Sequence, residues 1–267
     1  MRALRIAAAV SLSPLIAGAF LLLGSATAQP AAGQAAPGQI TVAAAISMKD
    51  VLEALGKRFS ERPSAPQVNF DFGASGILQK QIEEGAPVDL FISAAPAQMN
   101  ALEAKALLLA GTRRDIAGNR LVLVVPAGVA TVKQAADLKK PEVHAIAIGE
   151  PRSVPAGQYA AEALRNLGLF SALESKFVYA QDVRAVLTYV AGRDADAGFV
   201  YETDAKSTEK VSIAAPLPAS SYTPVVYPAA VIRNSQNAAG ARAFLDFLFS
   251  ADAREIFEHF GFTRPAK

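Results

Sequence analysis

Ile40-Thr41-Val42-Ala43-Ala44-Ala45 runs through Ile46-Ser47 into a stretch of helical spacing over 48–59. A short apolar run that becomes a helix at a Ser marks a strand-to-helix switch. The same unit returns at Val68-Asn69-Phe70-Asp71-Phe72, followed by Ser75, Gly76 and a helical stretch over 77–84. The first N–H groups of a helix have no intrahelical acceptor, so a Ser there sets a hydroxyl beside free donors. Two such ends side by side form a pocket of hydrogen-bond donors suited to an anion.

Outward from these two units the chain keeps alternating. Strands are expected at 40–45, 67–72, 88–93, 120–125, 144–148, 177–180, 197–201, 211–214 and 226–232. Helices are expected at 48–60, 75–84, 96–104, 132–137, 157–167, 182–192, 237–249 and 251–259. Alternation of this kind predicts an α/β fold with open, mainly parallel sheets. The run Arg120-Leu121-Val122-Leu123-Val124-Val125 is almost continuously apolar, as for a parallel strand covered on both faces. Open α/β sheets bind ligands beyond the carboxyl ends of their strands, where both serines fall. The Pro-marked extended runs at 122–126 and 224–232 are the expected passages between two lobes.

The first 28 residues read as an export signal rather than as fold. Arg2 and Arg5 form a basic start, 6–23 is apolar, and Ala26-Thr27-Ala28 is a small-residue cleavage site. Residues 29–39, rich in Ala, Pro, Gly and Gln, are a flexible lead-in. The chain has no Cys, which excludes disulfides, thiolate metal sites and a lipid-anchored N-terminus. Net charge is +2 for the whole chain, and loss of Arg2 and Arg5 leaves the remainder balanced. No Lys/Arg block tracks a nucleic-acid backbone. Export without disulfides fits a bacterial periplasm.

Each constellation also has a plainer reading. Ser47 precedes Asp50 by three residues, the spacing of a capping box, so it reads equally as an N-cap. Ser75 lies in Gly73-Ala74-Ser75-Gly76, where small residues admit a close ligand or make a turn into a helix. Val154-Pro155-Ala156-Gly157 opens a helix with Pro in its first turn, leaving Ala156 with a bare N–H. Asp182 is a cap residue and leaves Val183 with another. Tyr201 ends the apolar run Ala197-Gly198-Phe199-Val200; its phenol serves either a cleft or the core edge. Asp89 reads as a capping or lobe-bridging carboxylate. The two histidines, His144 and His259, lie away from these positions, and no HExxH or Gly-x-Ser-x-Gly is present. No catalytic residues are assigned.

Taken together, these blocks resemble the periplasmic molybdate-binding proteins, the ModA family. The resemblance rests on Thr41-Val42, Ala44-Ala45 and Ser47, then Ser75, Leu78 and Gln81-Ile82-Glu83. Its most distinctive block is Gly85-Ala86-Pro87-Val88-Asp89-Leu90-Phe91-Ile92-Ser93-Ala94. Gly118-Asn119-Arg120-Leu121-Val122, Val154-Pro155-Ala156-Gly157-Gln158-Tyr159-Ala160, Asp182-Val183-Arg184 and Gly198-Phe199-Val200-Tyr201 join it. So do Ala253-Arg254-Glu255-Ile256-Phe257 and Phe260-Gly261-Phe262.

The resemblance implies a two-lobed periplasmic-binding-protein fold of type II, with the ligand in the interlobe cleft. It implies residues 40–123 as the first part of lobe 1, 124–227 as lobe 2 and 228–267 as the return to lobe 1. Ser47 and Ser75 would donate from lobe 1, and Ala156, Val183 and Tyr201 from lobe 2. All five would meet the metal through the oxygens of molybdate or tungstate. It further implies a monomeric carrier without cofactor or enzymatic activity, delivering its anion to an inner-membrane ABC permease. Ala43, Ile46 and Gly76 depart from the family's pattern; a hydroxyl residue is expected at 76. Carriers of sulfate or thiosulfate share the architecture. A ferric-iron carrier would need clustered tyrosines, and the six here are scattered. A transcription-factor effector domain and a secreted Ser hydrolase are the more distant readings.

Overall fold

The computed structural model describes residues 38–265. The expected signal peptide at 1–28, and all but the last two residues of the 29–39 lead-in, lie outside the described residues. The chain opens with β1 Gln39–Ala45, α1 Lys49–Ser60, β2 Gln67–Gly73, α2 Ser75–Glu83, β3 Leu90–Ile92, α3 Pro96–Ala104 and β4 Arg114–Asn119. It continues through β5 Leu121–Pro126, β6 Ile146–Gly149, α4 Pro155–Asn166, α5 Phe170–Leu173, β7 Phe177–Ala180, α6 Val183–Ala191 and β8 Ala197–Tyr201. It closes with α7 Glu202–Lys206, β9 Val211–Pro216, β10 Val225–Val231, α8 Ala238–Phe247 and α9 Ala251–His259. Among the described residues no helix is long and apolar enough to cross a membrane.

Two five-stranded sheets result, ordered β2-β1-β3-β10-β4 and β7-β6-β8-β5-β9. They share one plan. Three strands run parallel, and two further strands join by antiparallel pairing. Each sheet borrows its fourth strand across the molecule: β10 returns from the end of the chain, and β5 arrives directly from β4. The chain therefore passes from the first sheet to the second at Arg120 and returns over 217–224. The runs at 122–126 and 224–232, read from sequence as passages, are strand almost throughout.

Period-two alternation sorts the first sheet's side chains between two layers. From β1, Ile40, Val42 and Ala44 face the larger apolar cluster, which includes Leu52, Leu55 and Phe59 of α1 and Phe244 of α8. Ala43 faces the other way, with Leu78 and Ile82 of α2 and Met99 and Leu102 of α3. Sheet 1 is thus covered by helices on both sides. In the second sheet β5, β6 and β8 are buried along their whole lengths. The larger cluster continues through them, so apolar packing joins the two lobes.

Three expectations need correction. The run at 120–125 was read as a parallel strand, yet β5 pairs antiparallel with both β8 and β9. Its unbroken apolar character reflects burial on two faces, which direction does not determine. The helix expected at 132–137 is a 3-10 turn, Ala135–Lys139. The Asp137 carboxylate accepts from the Lys133 N–H at 2.9 Å and competes with a helical ladder there. Asp89 bridges nothing between lobes. It accepts from the Thr41 N–H at 2.8 Å, the Ser235 hydroxyl at 2.6 Å and the Asn237 N–H at 3.2 Å. These bonds tie the returning C-terminal segment to the first sheet.

Candidate functional site

Register brings the two serines together. β1 and β2 are parallel, with Ala45 opposite Gly73, and Ser47 and Ser75 each lie two residues beyond that pair. In the second sheet Gly149 of β6 is opposite Ala180 of β7, and α4 and α6 start shortly after those ends. The α4 end is set hard against its strand. A Cβ on Gly157 would lie 1.9 Å from the Gly149 carbonyl oxygen, so no larger residue fits there. β8 ends at Tyr201. The carboxyl ends of the two sheets face each other across a cavity lined by Ser47, Ser75, Ala94, Ala156, Val183 and Tyr201, among others.

All five residues singled out from sequence therefore reach one place. The cavity volume is about 10 Å³, room for about one water-sized sphere and far below the roughly 300–1,000 Å³ of pockets for drug-sized ligands. Among the described residues no Lys, Arg, Asp or Glu lines it. Ser47 and Ser75 are buried.

The local geometry corrects the capping reading of Ser47. A 3-10 turn, Ile46–Met48, separates β1 from α1, whose N-cap is Met48 with no side-chain bond. Ser47 sits inside that turn, and its hydroxyl lies 3.3 Å from that of Tyr227. Asp50 likewise makes no capping box; it pairs with Arg184 at 2.8 Å. Ser75 is the first residue of α2, Ala74 being the cap, and its oxygen accepts from the Ala94 N–H at 3.0 Å. Asp182 is the N-cap of α6, as expected, and accepts from the Ala185 N–H at 2.8 Å.

First-turn N–H groups remain for an incoming ligand. Pro155 occupies the first position of α4 and has none to give, so Ala156 carries the first N–H of that helix. Val183 opens α6. The Tyr201 ring is fully buried, and its hydroxyl has no partner among the described residues. Burial, with Tyr227 nearby, pushes this phenol well above its ordinary pKa, so it keeps its proton and is a donor.

The neighbouring charges are already occupied. Arg184 follows Val183, but its guanidinium holds Asp204 at 2.7 Å and Asp50 at 2.8 Å. Burial pushes the Asp204 carboxyl up to about 7, against the pull of Arg184. The Arg184–Asp50 pair crosses from lobe 2 to lobe 1. A second crossing is made by backbone alone: the Gly76 N–H donates to the Ser153 carbonyl at 2.9 Å. A Cβ at position 76 would lie 2.6 Å from that carbonyl oxygen and 2.7 Å from the Ser153 Cα. The departure at Gly76 thus has a physical counterpart, because the opposite lobe occupies the space of a side chain.

Sequence reasoning missed three contributors, Ala94, Asn119 and Tyr227. Ala94 and Asn119 lie within the blocks that carry the family resemblance, yet nothing in their spacing indicates what they touch.

The sequence pattern of the bacterial extracellular solute-binding proteins matches residues 40–263. The chain belongs to that family. The molybdate-binding protein ModA of Haemophilus influenzae is 39% identical to this solute-binding protein over 86% of this chain and 91% of the relative. The periplasmic molybdate-binding protein of Azotobacter vinelandii superposes with a TM-score of 0.77 at 26% identity, covering 85% of this chain and 100% of its own. The sulfate-binding protein SubI of Mycobacterium tuberculosis gives a TM-score of 0.75 at 18% identity, covering 86% and 88%. At that distance the likeness shows a shared fold alone.

Proposed function

We propose that this solute-binding protein captures molybdate, and tungstate with it, and delivers the anion to an ABC permease. The observation that carries the reading is the convergence of hydroxyls and free N–H groups from both lobes on one small cavity without charged side chains. We assign Ser47, Ser75, Ala156, Val183 and Tyr201 as the ligands of the oxyanion, touching the metal only through its oxygens. The names of the relatives at 26% and 39% identity support this choice of anion.

Donors alone can hold a dianion. Helix N-termini contribute partial positive charge and N–H groups. A hydrogen bond to an ionised acceptor contributes roughly 1.5–3 kcal/mol. A micromolar to nanomolar dissociation constant corresponds to about 8–12 kcal/mol, which five to seven such bonds reach after desolvation. A pocket made of donors discriminates against protonated phosphate, whose O–H finds no acceptor. Sulfate is smaller, and its oxygens fall short of some donors.

The reading includes export: a signal peptide cleaved after about Ala28 and a monomeric, non-enzymatic carrier in the periplasm. Lobe 1 then comprises 40–123 and 228–267, and lobe 2 comprises 124–227. Closure of the lobes over the anion marks the loaded state for the permease.

The test is thermal unfolding with molybdate, tungstate, sulfate, phosphate or no ligand at equal ionic strength. Binding to the native state alone adds about 4 kcal/mol at a thousandfold excess over the dissociation constant. A large rise in Tm with molybdate and tungstate alone is expected. A rise with sulfate instead would move the ligand, and no rise with any of them would overturn the reading.

A further inference from the structure

Both cavity serines are hydrogen-bonded from behind by the protein. For Ser75 the rear donor is the Ala94 N–H. The Ser47 hydroxyl lies 3.3 Å from that of a side chain 180 residues away, the Tyr227 phenol, and by that contact alone either is the donor. That phenol stands at the end of a short chain of bonds with a definite direction. The Asn119 Oδ1 accepts from the Arg120 N–H at 2.9 Å, which settles which end of the amide is nitrogen. The Asn119 Nδ2 then gives its two hydrogens to the Thr203 hydroxyl at 2.9 Å and the Tyr227 oxygen at 3.1 Å.

Having accepted from Asn119, Tyr227 retains one proton, and the Ser47 oxygen 3.3 Å away receives it. That distance is long for a hydroxyl pair, so the contact is modest in strength. Tyr227 is fully buried, so bulk water does not compete for its proton. Burial also raises its pKa far above the ordinary range, which keeps it protonated. With a lone pair of Ser47 so engaged, the serine's own proton is left for the cavity.

We propose that Tyr227, oriented by Asn119, is a positioning residue that fixes Ser47 as a donor toward the oxyanion. This inference rests on the reading of Ser47 as a molybdate ligand. Without the phenol, the hydroxyl is free to turn its proton away from the ligand, and part of each binding event is spent on reorienting it.

The experiment is a double-mutant cycle read by calorimetric titration of the purified protein with sodium molybdate. Tyr227→Phe is expected to weaken binding about three- to tenfold, the range of one hydrogen bond. In the Ser47→Ala background the same change is expected to cost less than about twofold, because its target is gone. An equal loss in both backgrounds would show a general structural effect and overturn the proposal, as would no loss in the otherwise unchanged protein. Failure of the site reading looks different: Ser47→Ala would then leave molybdate affinity unchanged. Unliganded Tm checks folding. If Tyr227→Phe does not fold, Asn119→Asp replaces it. The new carboxylate still accepts from the Arg120 N–H but reverses the direction of the chain, turning the phenol's proton away from Ser47. Its loss of affinity should shrink in the Ser47→Ala background, and an undiminished loss would overturn the proposal.

Discussion

In the first sheet the parallel strands β2, β1 and β3 are followed at the cavity by Ser75, Ser47 and Ala94. In the second, β7 and β6 are followed by Val183 and Ala156, and β8 ends on Tyr201. The strand plan is the same, but the donors differ. Lobe 1 presents hydroxyls, each in hydrogen-bond contact with a protein group behind it. Lobe 2 presents bare backbone N–H groups and a phenol without a partner among the described residues. Hydroxyls rotate and need a second bond to fix their direction. A peptide N–H is held by the backbone and needs none. Precision at Ser47 therefore depends on a distant side chain and at Ser75 on the Ala94 backbone N–H, whereas at Ala156 and Val183 it depends on where a helix begins.

That contrast can be broken from either side. The largest effect is expected from Ser47→Ala combined with Ser75→Ala, which removes both hydroxyl donors of lobe 1. Each change should weaken molybdate binding about tenfold or more, at about 1.4 kcal/mol per decade, as read by titration. The two should differ in stability. Ser75→Ala leaves the buried Ala94 N–H without its acceptor and should cost about 1–3 kcal/mol by denaturant unfolding. Ser47→Ala also leaves a buried donor, the Tyr227 O–H, without its acceptor, but should cost less, because that 3.3 Å contact is the weaker one.

Next comes a backbone donor. Val183→Pro deletes the N–H at the first position of α6, where Pro is well tolerated and the preceding residue is already extended, with ψ of 174°. It should weaken molybdate binding about tenfold with little change in unliganded Tm. Val183→Ala, which keeps the N–H, should bind nearly as the parent does. Equal losses in the two variants would show that the side chain, not the donor, matters.

A smaller loss, several-fold, is expected from Gly76→Ala. The new Cβ meets the Ser153 backbone and hinders approach of the lobes, while Ala is the better helix former by about 1 kcal/mol. Affinity and unliganded stability should therefore move in opposite directions, as titration and thermal unfolding together will read. The smallest effect belongs to Asp50→Asn. It removes a partly exposed interlobe ion pair, and exposed pairs contribute about 0.2–1 kcal/mol. Binding should weaken about two- to threefold at low salt, and the difference should shrink as ionic strength rises.

Legibility in the sequence followed local pattern. β1, β2 and β8 stood out as strand-like runs, and the starts of α4 and α6 were marked by Pro155 and Asp182. β4 was missed: Arg114-Asp115-Ile116-Ala117-Gly118-Asn119 carries one large apolar residue among charged, small and polar ones. It becomes a strand because β10 pairs with it from more than a hundred residues away. Ser47 was singled out as a donor while its local role was misread, since Ser followed three residues later by Asp fits a capping box equally well. A short 3-10 turn, invisible in composition, decided between the two.

The sequence by itself determined the alternation of strands and helices, the small and hydroxyl residues at the helix starts and the lack of any thiol or clustered cation. Those properties depend on neighbours a few residues apart, so periodicity and residue type carry them. The tertiary structure alone decided that β5 runs antiparallel and that β10 completes the first sheet. It also decided that Gly76 touches Ser153 across the cleft and that Asn119 and Tyr227 stand behind Ser47. Those contacts join segments far apart in the chain, and no local propensity encodes which distant residue will fill the space.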